Sequence, residues 1–226
     1  MKRDFSTNLT ASLFIIGTLM LWLGWVLSPV KIGVFFETGD FAEVAEQWRF
    51  WIWMYHIHIF GYLMTMMALV AFGAVLMETP ARVVAWPGIS VAAAGLLVSA
   101  LAGAFYYHHG AWGAVEMAGK PAEALQDHVE ALRLDTEYVT CLVRFGRVFF
   151  GLGMTVLALG LLKWDILPNW LALSTGLLGI AAMALTMGLP DNLEYYLPVF
   201  HLNALWFVAA GIVMGRSGLR IETQES

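Results

Sequence analysis

Histidine is the residue type of greatest chemical interest in this chain, because every copy falls at the same end of its apolar segments. The six are His56, His58, His108, His109, His128 and His201. Neutral histidine is the commonest protein ligand of transition metals, and it also binds heme iron. Ionisable groups inside a membrane are costly and are therefore functional candidates. This distribution predicts a metal or heme centre near one membrane surface.

His58 is the preferred ligand in the densest segment. His56 and His58 are two residues apart, so on a helix their side chains diverge by about 200° and only one of them faces the bundle. Gly61 shares a face with His58 and would leave room for a flat ring beside the helix. We therefore predict that His58 is the inward ligand and that His56 is not a ligand. The alternative for His58 is a core histidine bonded to a carbonyl.

His201 is the best second candidate for an axial ligand. It is expected to open the sixth apolar span behind Pro198, where the start of a helix can point a side chain inward. His128 is expected to be solvent-exposed in a loop. Two histidines on one iron would indicate low-spin electron transfer, whereas one histidine beside an open position would indicate ligand binding or catalysis.

His108 and His109 end the third apolar span. Neighbouring residues on a helix diverge by about 100°, so at most one of this pair is an inner ligand. The alternative is interfacial placement beside Tyr106 and Tyr107, because aromatic side chains favour the membrane boundary.

Three arginines are candidate partners for an anionic cofactor. Arg144 and Arg147 are three residues apart at the start of the fourth span, so they share a helix face. Arginine forms bidentate hydrogen bonds with carboxylates, which suits heme propionates. Arg49 is a further possible propionate partner. The alternative partners for this pair are acidic residues of the chain, Asp135, Glu137 or Asp191.

Heme b is favoured over a non-heme metal site. Zinc or copper needs three or four closely grouped ligands, and no HxxxH or HExxH pair occurs in the chain. A porphyrin needs one or two histidines and a flat apolar pocket. The cofactor predicted is therefore heme b, in an electron carrier or in a heme-dependent enzyme that acts on a small lipophilic molecule. A non-heme metal site is the alternative cofactor.

The elements that must position these residues are membrane helices. Of the 226 residues, 60% are hydrophobic and 13% are charged, against about 25% charged in a soluble domain. Apolar runs of about 20 residues cross a hydrocarbon core of roughly 30 Å, and helices satisfy their own backbone there. We predict an all-α polytopic membrane bundle of six transmembrane helices, with residues 1–226 forming a single domain. The predicted spans are 9–30, 51–77, 83–107, 141–162, 170–189 and 199–214.

An even number of spans places both termini on one side of the membrane. That side holds six basic residues in short loops and five acidic ones, whereas the other side holds six basic and twelve acidic residues. The positive-inside rule favours cytoplasmic termini, with the histidines outside, in a bacterial inner membrane. Residues 108–138 form the longest polar stretch, which we predict to be an extramembrane loop or a lid over the bundle.

Charge and cysteine content narrow the choice of partners. A net charge of −5 provides no basic stripe for nucleic acid, and the single Cys141 excludes an internal disulfide. The acidic outer side could dock a cationic redox partner such as a soluble cytochrome. This supports a second hypothesis, in which the chain is a non-catalytic accessory or structural subunit of a larger membrane complex and its histidines only form hydrogen bonds.

The second span resembles two groups of heme membrane proteins. Residues 56–61, His-Ile-His-Ile-Phe-Gly, are similar to the start of the histidine-bearing helix in subunit I of heme–copper oxidases. The wider segment resembles the bacterial styrene oxide isomerases, in which a tryptophan leads to a histidine and then to a Met-Met pair. Here these are Trp53, His58 and Met66-Met67.

The isomerase resemblance implies a function. Those proteins are helical membrane trimers with heme b between subunits, where the iron acts as a Lewis acid on an epoxide. It implies heme b and a homo-oligomer for this chain. Their active-site tyrosine is similar in position to Tyr106 or Tyr107, and Met64 stands where they carry an asparagine.

Overall fold

The regular structure of this chain is helical throughout the part that is described. The computed structural model describes residues 5–26, 38–190, 193–217 and 219. A π-helical segment, Tyr106–Trp112, lies between α4 and α5. The α-helices are α1 (Phe5–Val26), α2 (Thr38–Glu46), α3 (Trp48–Leu76), α4 (Arg82–Phe105), α5 (Gly113–Met117), α6 (Ala122–Lys163), α7 (Asn169–Gly188) and α8 (Leu193–Ser217).

Six helices of the described chain are long and apolar enough to cross a membrane, which confirms the predicted all-α polytopic bundle. They are α1, α3, α4, α6, α7 and α8. Large apolar side chains on their outward faces are exposed, as expected for contact with lipid; examples are Leu101, Leu159, Leu173 and Ile180. The protein is therefore a multi-pass membrane protein. The predicted end of the first span, residues 27–30, lies outside the described residues.

Close helix packing depends on glycine at the α4–α6 contact, the most extensive in the bundle. A Cβ added at Gly153 of α6 would overlap the Ala92 backbone nitrogen, and one added at Gly95 of α4 would lie 2.6 Å from the Phe150 nitrogen. Both positions therefore require glycine. Small residues that let helix backbones touch are the usual basis of packing in membranes, where burial of apolar surface gives little driving force.

The interior has two hydrophobic clusters. The larger one occupies the end of the bundle that carries the chain termini, around Phe14, Phe72 and Phe207. Phe14 stacks on Phe207 with ring centroids 5.4 Å apart. The smaller cluster lies at the histidine end and includes Val44 of α2 and Trp51 of α3. The two clusters are well packed, and the space between them is not.

The polar stretch at residues 108–138 is mostly helical. Residues 122–138 are the first turns of α6, which is 42 residues long and therefore about 63 Å, twice the hydrocarbon thickness. Arg133 supports this part of the helix through exposed ion pairs with Glu130 and Glu137, both 2.9 Å long. Leu125 and Val129 pack against the smaller cluster. The extramembrane position of this stretch remains a prediction.

Candidate functional site

A cavity of about 190 Å³ lies between the two hydrophobic clusters. Five helices form its wall: α1, α3, α4, α6 and α8. Each contributes the part of its length that lies at the histidine end of the bundle. The cavity therefore occupies the membrane half in which the sequence predicts a functional centre, and each of the five helices contributes at least one polar side chain to its lining.

One face of α3 supplies much of the wall. Trp51, Tyr55, His58 and Tyr62 follow one another at intervals of three or four residues, which places them on a single helix face. His58 is 8% exposed. Its ring packs against α1 beside Gly24, where an added Cβ would lie 3.3 Å from the His58 Nδ1. The edge of the ring meets Tyr62, with ring centroids 4.8 Å apart.

Arg147 of α6 adds a cation to the same wall. Its guanidinium lies over the Tyr196 ring of α8, 4.3 Å from the ring centroid, a distance typical of a cation–π contact. Arg147 and Tyr196 are both close enough to Tyr62 to interact with it electrostatically. His58, Tyr62, Tyr196 and Arg147 thus form a polar strip that crosses from α3 to α6 and α8.

Three further wall residues carry buried polar atoms without a hydrogen-bond partner in the described part of the chain. These atoms are the Trp51 Nε1, the Asn203 Oδ1 and the Thr18 Oγ1. The residues are 1%, 5% and 1% exposed, respectively. Buried polar groups are almost always paired, and an unpaired one costs about 1–3 kcal/mol. All three residues line the cavity, but these atoms themselves are buried and have almost no surface exposed to it.

The cavity brings together three of the residues singled out in the sequence. His58, Tyr106 and Arg147 all line it. Gly61 does not. A Cβ at Gly61 would lie 2.7 Å from the Leu21 nitrogen, so the room that we expected for a flat ring is filled by α1. The glycine is required for the contact between α1 and α3.

His201 lies away from the cavity wall. We expected Pro198 to precede the helix, but α8 begins at Leu193, so Pro198 is internal and His201 lies in the third turn. The Trp22 Nε1 donates a hydrogen bond to the His201 Nδ1 at 2.9 Å. His201 and His58 therefore do not line the same cavity within the described residues.

His108, His109 and Tyr107 belong to the π-helical segment. His108 is exposed, and the His109 ring packs on Phe105 with centroids 4.7 Å apart. Tyr107 packs against His56, also at 4.7 Å. The π-helix turns these side chains away from the cavity, while Tyr106 at its start faces inward. Interruptions of this kind often occur at functional sites.

The other two arginines have different partners. Arg144 donates hydrogen bonds from its Nη2 to the carbonyl oxygens of Thr186 and Leu189, at the C-terminal end of α7. Cationic side chains commonly stabilise helix ends in this way. Arg49 is exposed and stacks over Trp48, 5.2 Å from the ring centroid. Neither lines the cavity. Asp191, considered as an acidic partner, lies outside the described residues.

Sequence reasoning missed several wall residues. The spacing of three and four residues from His58 would have identified Trp51, Tyr55 and Tyr62 on the same face of α3. Nothing in the sequence singled out Thr18, since one threonine in an apolar span is ordinary. On α8 the sequence indicated His201 as the functional residue, but His201 faces the opposite side of this helix from Asn203, which lines the cavity.

The side chains that line the cavity, together with its volume, limit which cofactor it could hold. Within the described residues, no group of three or more His, Cys, Asp or Glu side chains is placed to hold a metal ion. His58 is the single described histidine on the wall. A cavity of 150 Å³ takes up benzene, so about 190 Å³ suits one substituted ring and not a porphyrin. Heme b would fit only if the helices separated.

Comparison with protein-family models, with curated proteins and with solved structures gives no match to this chain. The resemblances of the second span to heme–copper oxidases and to styrene oxide isomerases therefore remain expectations. What the chain does has to be argued from the cavity.

Proposed function

We propose that this membrane protein binds a small lipophilic molecule in the cavity beside His58. The observation that carries the proposal is the cavity itself, of about 190 Å³, in which a largely apolar wall includes the polar side chains of His58, Tyr106 and Arg147. A ligand pocket is typically an apolar concavity with a few convergent polar groups. Most of the cavity wall is apolar, which suits a lipophilic occupant.

The polar strip could also catalyse a reaction of the bound molecule. His58 and the hydroxyl of Tyr106 can exchange a proton with a bound molecule. Arg147 can stabilise negative charge that develops on an oxygen of the ligand. Phe150, Phe200 and Phe207 supply apolar parts of the wall. A heme-independent enzyme acting on the ligand by acid–base catalysis is the form of the proposal that this wall supports.

Heme b is a narrower version of the proposal. Through His58 the heme would gain one axial ligand, and its iron would supply Lewis-acid or electron-transfer chemistry. Arg147, not Arg49 or Arg144, would be the arginine available to a propionate from the cavity wall. This version requires the surrounding helices to move apart, since the present volume of the cavity is too small.

The binding proposal can be tested with a lipophilic diazirine probe of single-ring size in vesicles that contain the protein. Photolabelling should concentrate on peptides of α3 and α8. Ala204 is buried on the cavity wall, and Ala204→Phe should fill the space and remove most of the labelling. Leu205→Phe is the matched control, because Leu205 is 49% exposed on the outer side of the same helix. Equal labelling of the two variants would reject the proposal.

A second candidate function rests on the acidic end of the bundle. Exposed carboxylates cluster there on the first turns of α6, at Glu123, Asp127 and Glu130, with Glu43 on the neighbouring α2. Such a surface could recruit a cationic protein partner. An accessory subunit of this kind would co-purify with its partner at low ionic strength, and charge reversal at Glu123 and Asp127 would release that partner without an effect on photolabelling of the cavity.

A further inference from the structure

We infer that the molecule bound in the cavity is a lipophilic monocarboxylate whose carboxylate pairs with the Arg147 guanidinium. This inference rests on the proposed function and specifies the class of its ligand. It depends on the charge of the cavity wall, on the side chains around Arg147, and on the size and apolar character of the remaining space.

The charge of the cavity wall favours an anion. Among the described residues that line the cavity, Arg147 is the one lysine or arginine, and none is aspartate or glutamate. The wall therefore presents a positive potential to an occupant, which attracts an anion and repels a cation. A monoanion matches this single charge. A dianion such as a phosphate monoester would bring one negative charge more, which is costly in apolar surroundings.

Arg147 is placed to reach the occupant. It is partly exposed rather than buried, and its guanidinium lies 4.3 Å from the centroid of the Tyr196 ring, which also lines the cavity. A guanidinium carries five N–H donors in a planar fork. Arg147 can therefore keep its contacts within the chain and still donate two parallel hydrogen bonds to the two oxygens of a carboxylate.

Two tyrosines beside Arg147 complete the site for the carboxylate. Tyr62 is close enough to interact electrostatically with both Arg147 and Tyr196, and both tyrosines line the cavity and are partly exposed. A phenol hydroxyl is a hydrogen-bond donor that a carboxylate oxygen accepts well. The edge of the Tyr62 ring also meets His58, with ring centroids 4.8 Å apart. The acid–base groups of the site therefore lie at the carboxylate end of the ligand.

The remainder of the wall selects a compact apolar body. Phe150, Phe200 and Phe207 supply apolar surface, against which a ring packs in an offset or edge-on arrangement. The cavity of about 190 Å³ exceeds the volume of about 150 Å³ that accepts benzene by the room for a few heavy atoms. An aromatic monocarboxylate such as para-methylbenzoate matches both the dimensions and the charge.

The test compares para-methylbenzoate with para-methylbenzamide, a neutral molecule of the same skeleton and the same number of heavy atoms. Titration calorimetry at neutral pH, with the protein in nanodiscs of zwitterionic lipid and a correction for partition into empty nanodiscs, gives the two dissociation constants. We expect the carboxylate to bind about tenfold more tightly, as a charge-assisted pair requires. Arg147→Gln should abolish this preference while the amide still binds, which shows that the variant is folded.

Arg144→Gln is the matched control. Arg144 lies one turn earlier on α6 but does not line the cavity, and its Nη2 donates to the carbonyl oxygens of Thr186 and Leu189. Its replacement removes the same charge and should leave the preference intact. If the wild type binds both probes equally, if Arg147→Gln keeps the preference, or if Arg144→Gln also loses it, the assignment of the carboxylate to Arg147 is wrong although the binding proposal stands. If neither probe binds saturably, the inference fails, and the binding proposal fails with it when Ala204→Phe also leaves photolabelling unchanged.

The ionisation of the bound probe gives a second test that needs no variant. A carbon-13 label in the carboxyl group of para-methylbenzoate reports by NMR whether the bound molecule is ionised. At the pH at which the free acid is half ionised, the bound probe should be mostly ionised, because a nearby cation favours the charged form, whereas an apolar cavity alone favours the neutral acid. A bound probe that is mostly protonated would overturn the inference, even if Arg147→Gln does not fold.

Discussion

Substitution of Gly61 by alanine, compared with the same change at Gly103, decides which glycine borders the ligand. Both glycines lie at the histidine end of the bundle. A Cβ at Gly61 would lie 2.7 Å from the Leu21 nitrogen and 3.1 Å from the Gly17 oxygen. These are backbone atoms of α1, which cannot rotate aside. A Cβ at Gly103 would meet only the Ile59 side chain, at 3.1 Å, and Gly103 lines the cavity.

The two changes should therefore have opposite effects. Overpacking against a backbone costs about 1–3 kcal/mol, and each kcal/mol lowers the Tm of a chain of this size by about 2–4 °C. Gly61→Ala should lower the Tm by about 2–12 °C with little change in the affinity for a lipophilic probe of single-ring size. Gly103→Ala should keep the Tm within a few degrees, because alanine also favours the helix by about 1 kcal/mol, and should weaken binding because its methyl group narrows the cavity.

Thermal unfolding of detergent-solubilised protein, followed by tryptophan fluorescence, measures the first quantity, and calorimetry in nanodiscs measures the second. The reasoning would be refuted by a Gly61→Ala variant that keeps its Tm and loses the probe. In that case Gly61 would border the ligand, as the spacing in the sequence suggested, and the inward face of α3 would have to be assigned again.

Other consequences concern the remaining polar contacts. His58→Ala should reduce photolabelling of the cavity, whereas His56→Ala should not, since the His56 Nδ1 is bonded to the Ile52 carbonyl oxygen at 2.8 Å. Equal labelling of the two variants would contradict the assignment of His58 to the cavity wall. In cells supplied with heme, a Soret band that disappears only in His58→Ala would establish the heme b version, and its absence from the wild type would remove that version. Arg144→Gln should destabilise the protein by about 1–3 kcal/mol through the lost contacts with the end of α7, with unchanged probe binding; a loss of binding at full stability would place Arg144 in the site. Trp22→Phe should lower the free energy of unfolding by about 1 kcal/mol, because it removes the hydrogen bond to His201. If the protein binds heme and this variant shifts the visible spectrum of the heme, His201 would instead be an axial ligand.

The fold was predictable from the sequence because its causes are local. Length and apolarity of each run determine whether it crosses a membrane, and these are readable without tertiary contacts. The extension of α6 was harder to foresee, because residues 122–138 are polar and are stabilised as helix by ion pairs and by packing of Leu125 and Val129 on the smaller cluster. Their polarity indicated an extramembrane stretch, and these contacts hold that stretch as a helix.

The site was predictable only in part, because it depends on how helices rotate against one another. The angular argument about His56 and His58 correctly implied that only one faces the cavity, since it follows from helix geometry alone. The positions of His201 and Gly61 could not be inferred in the same way. Both depend on α1: His201 accepts a hydrogen bond from Trp22, and Gly61 packs closely against the α1 backbone. No periodicity within α3 or α8 encodes those partners.

The contrast between the two halves of the bundle supports a functional reason for the cavity. At the terminal end, Phe14, Phe72 and Phe207 belong to the larger hydrophobic cluster, in which apolar side chains pack against one another. At the histidine end the same helices enclose a space, and within the described residues the polar atoms of Trp51 and Asn203 have no hydrogen-bond partner. Replacing Asn203 by leucine would remove a buried unpaired acceptor and add apolar contact, which should make the ligand-free protein more stable. A fold that retains such a costly group in its interior departs from the packing rules that it follows elsewhere, and departures of this kind concentrate where a protein binds or transforms another molecule.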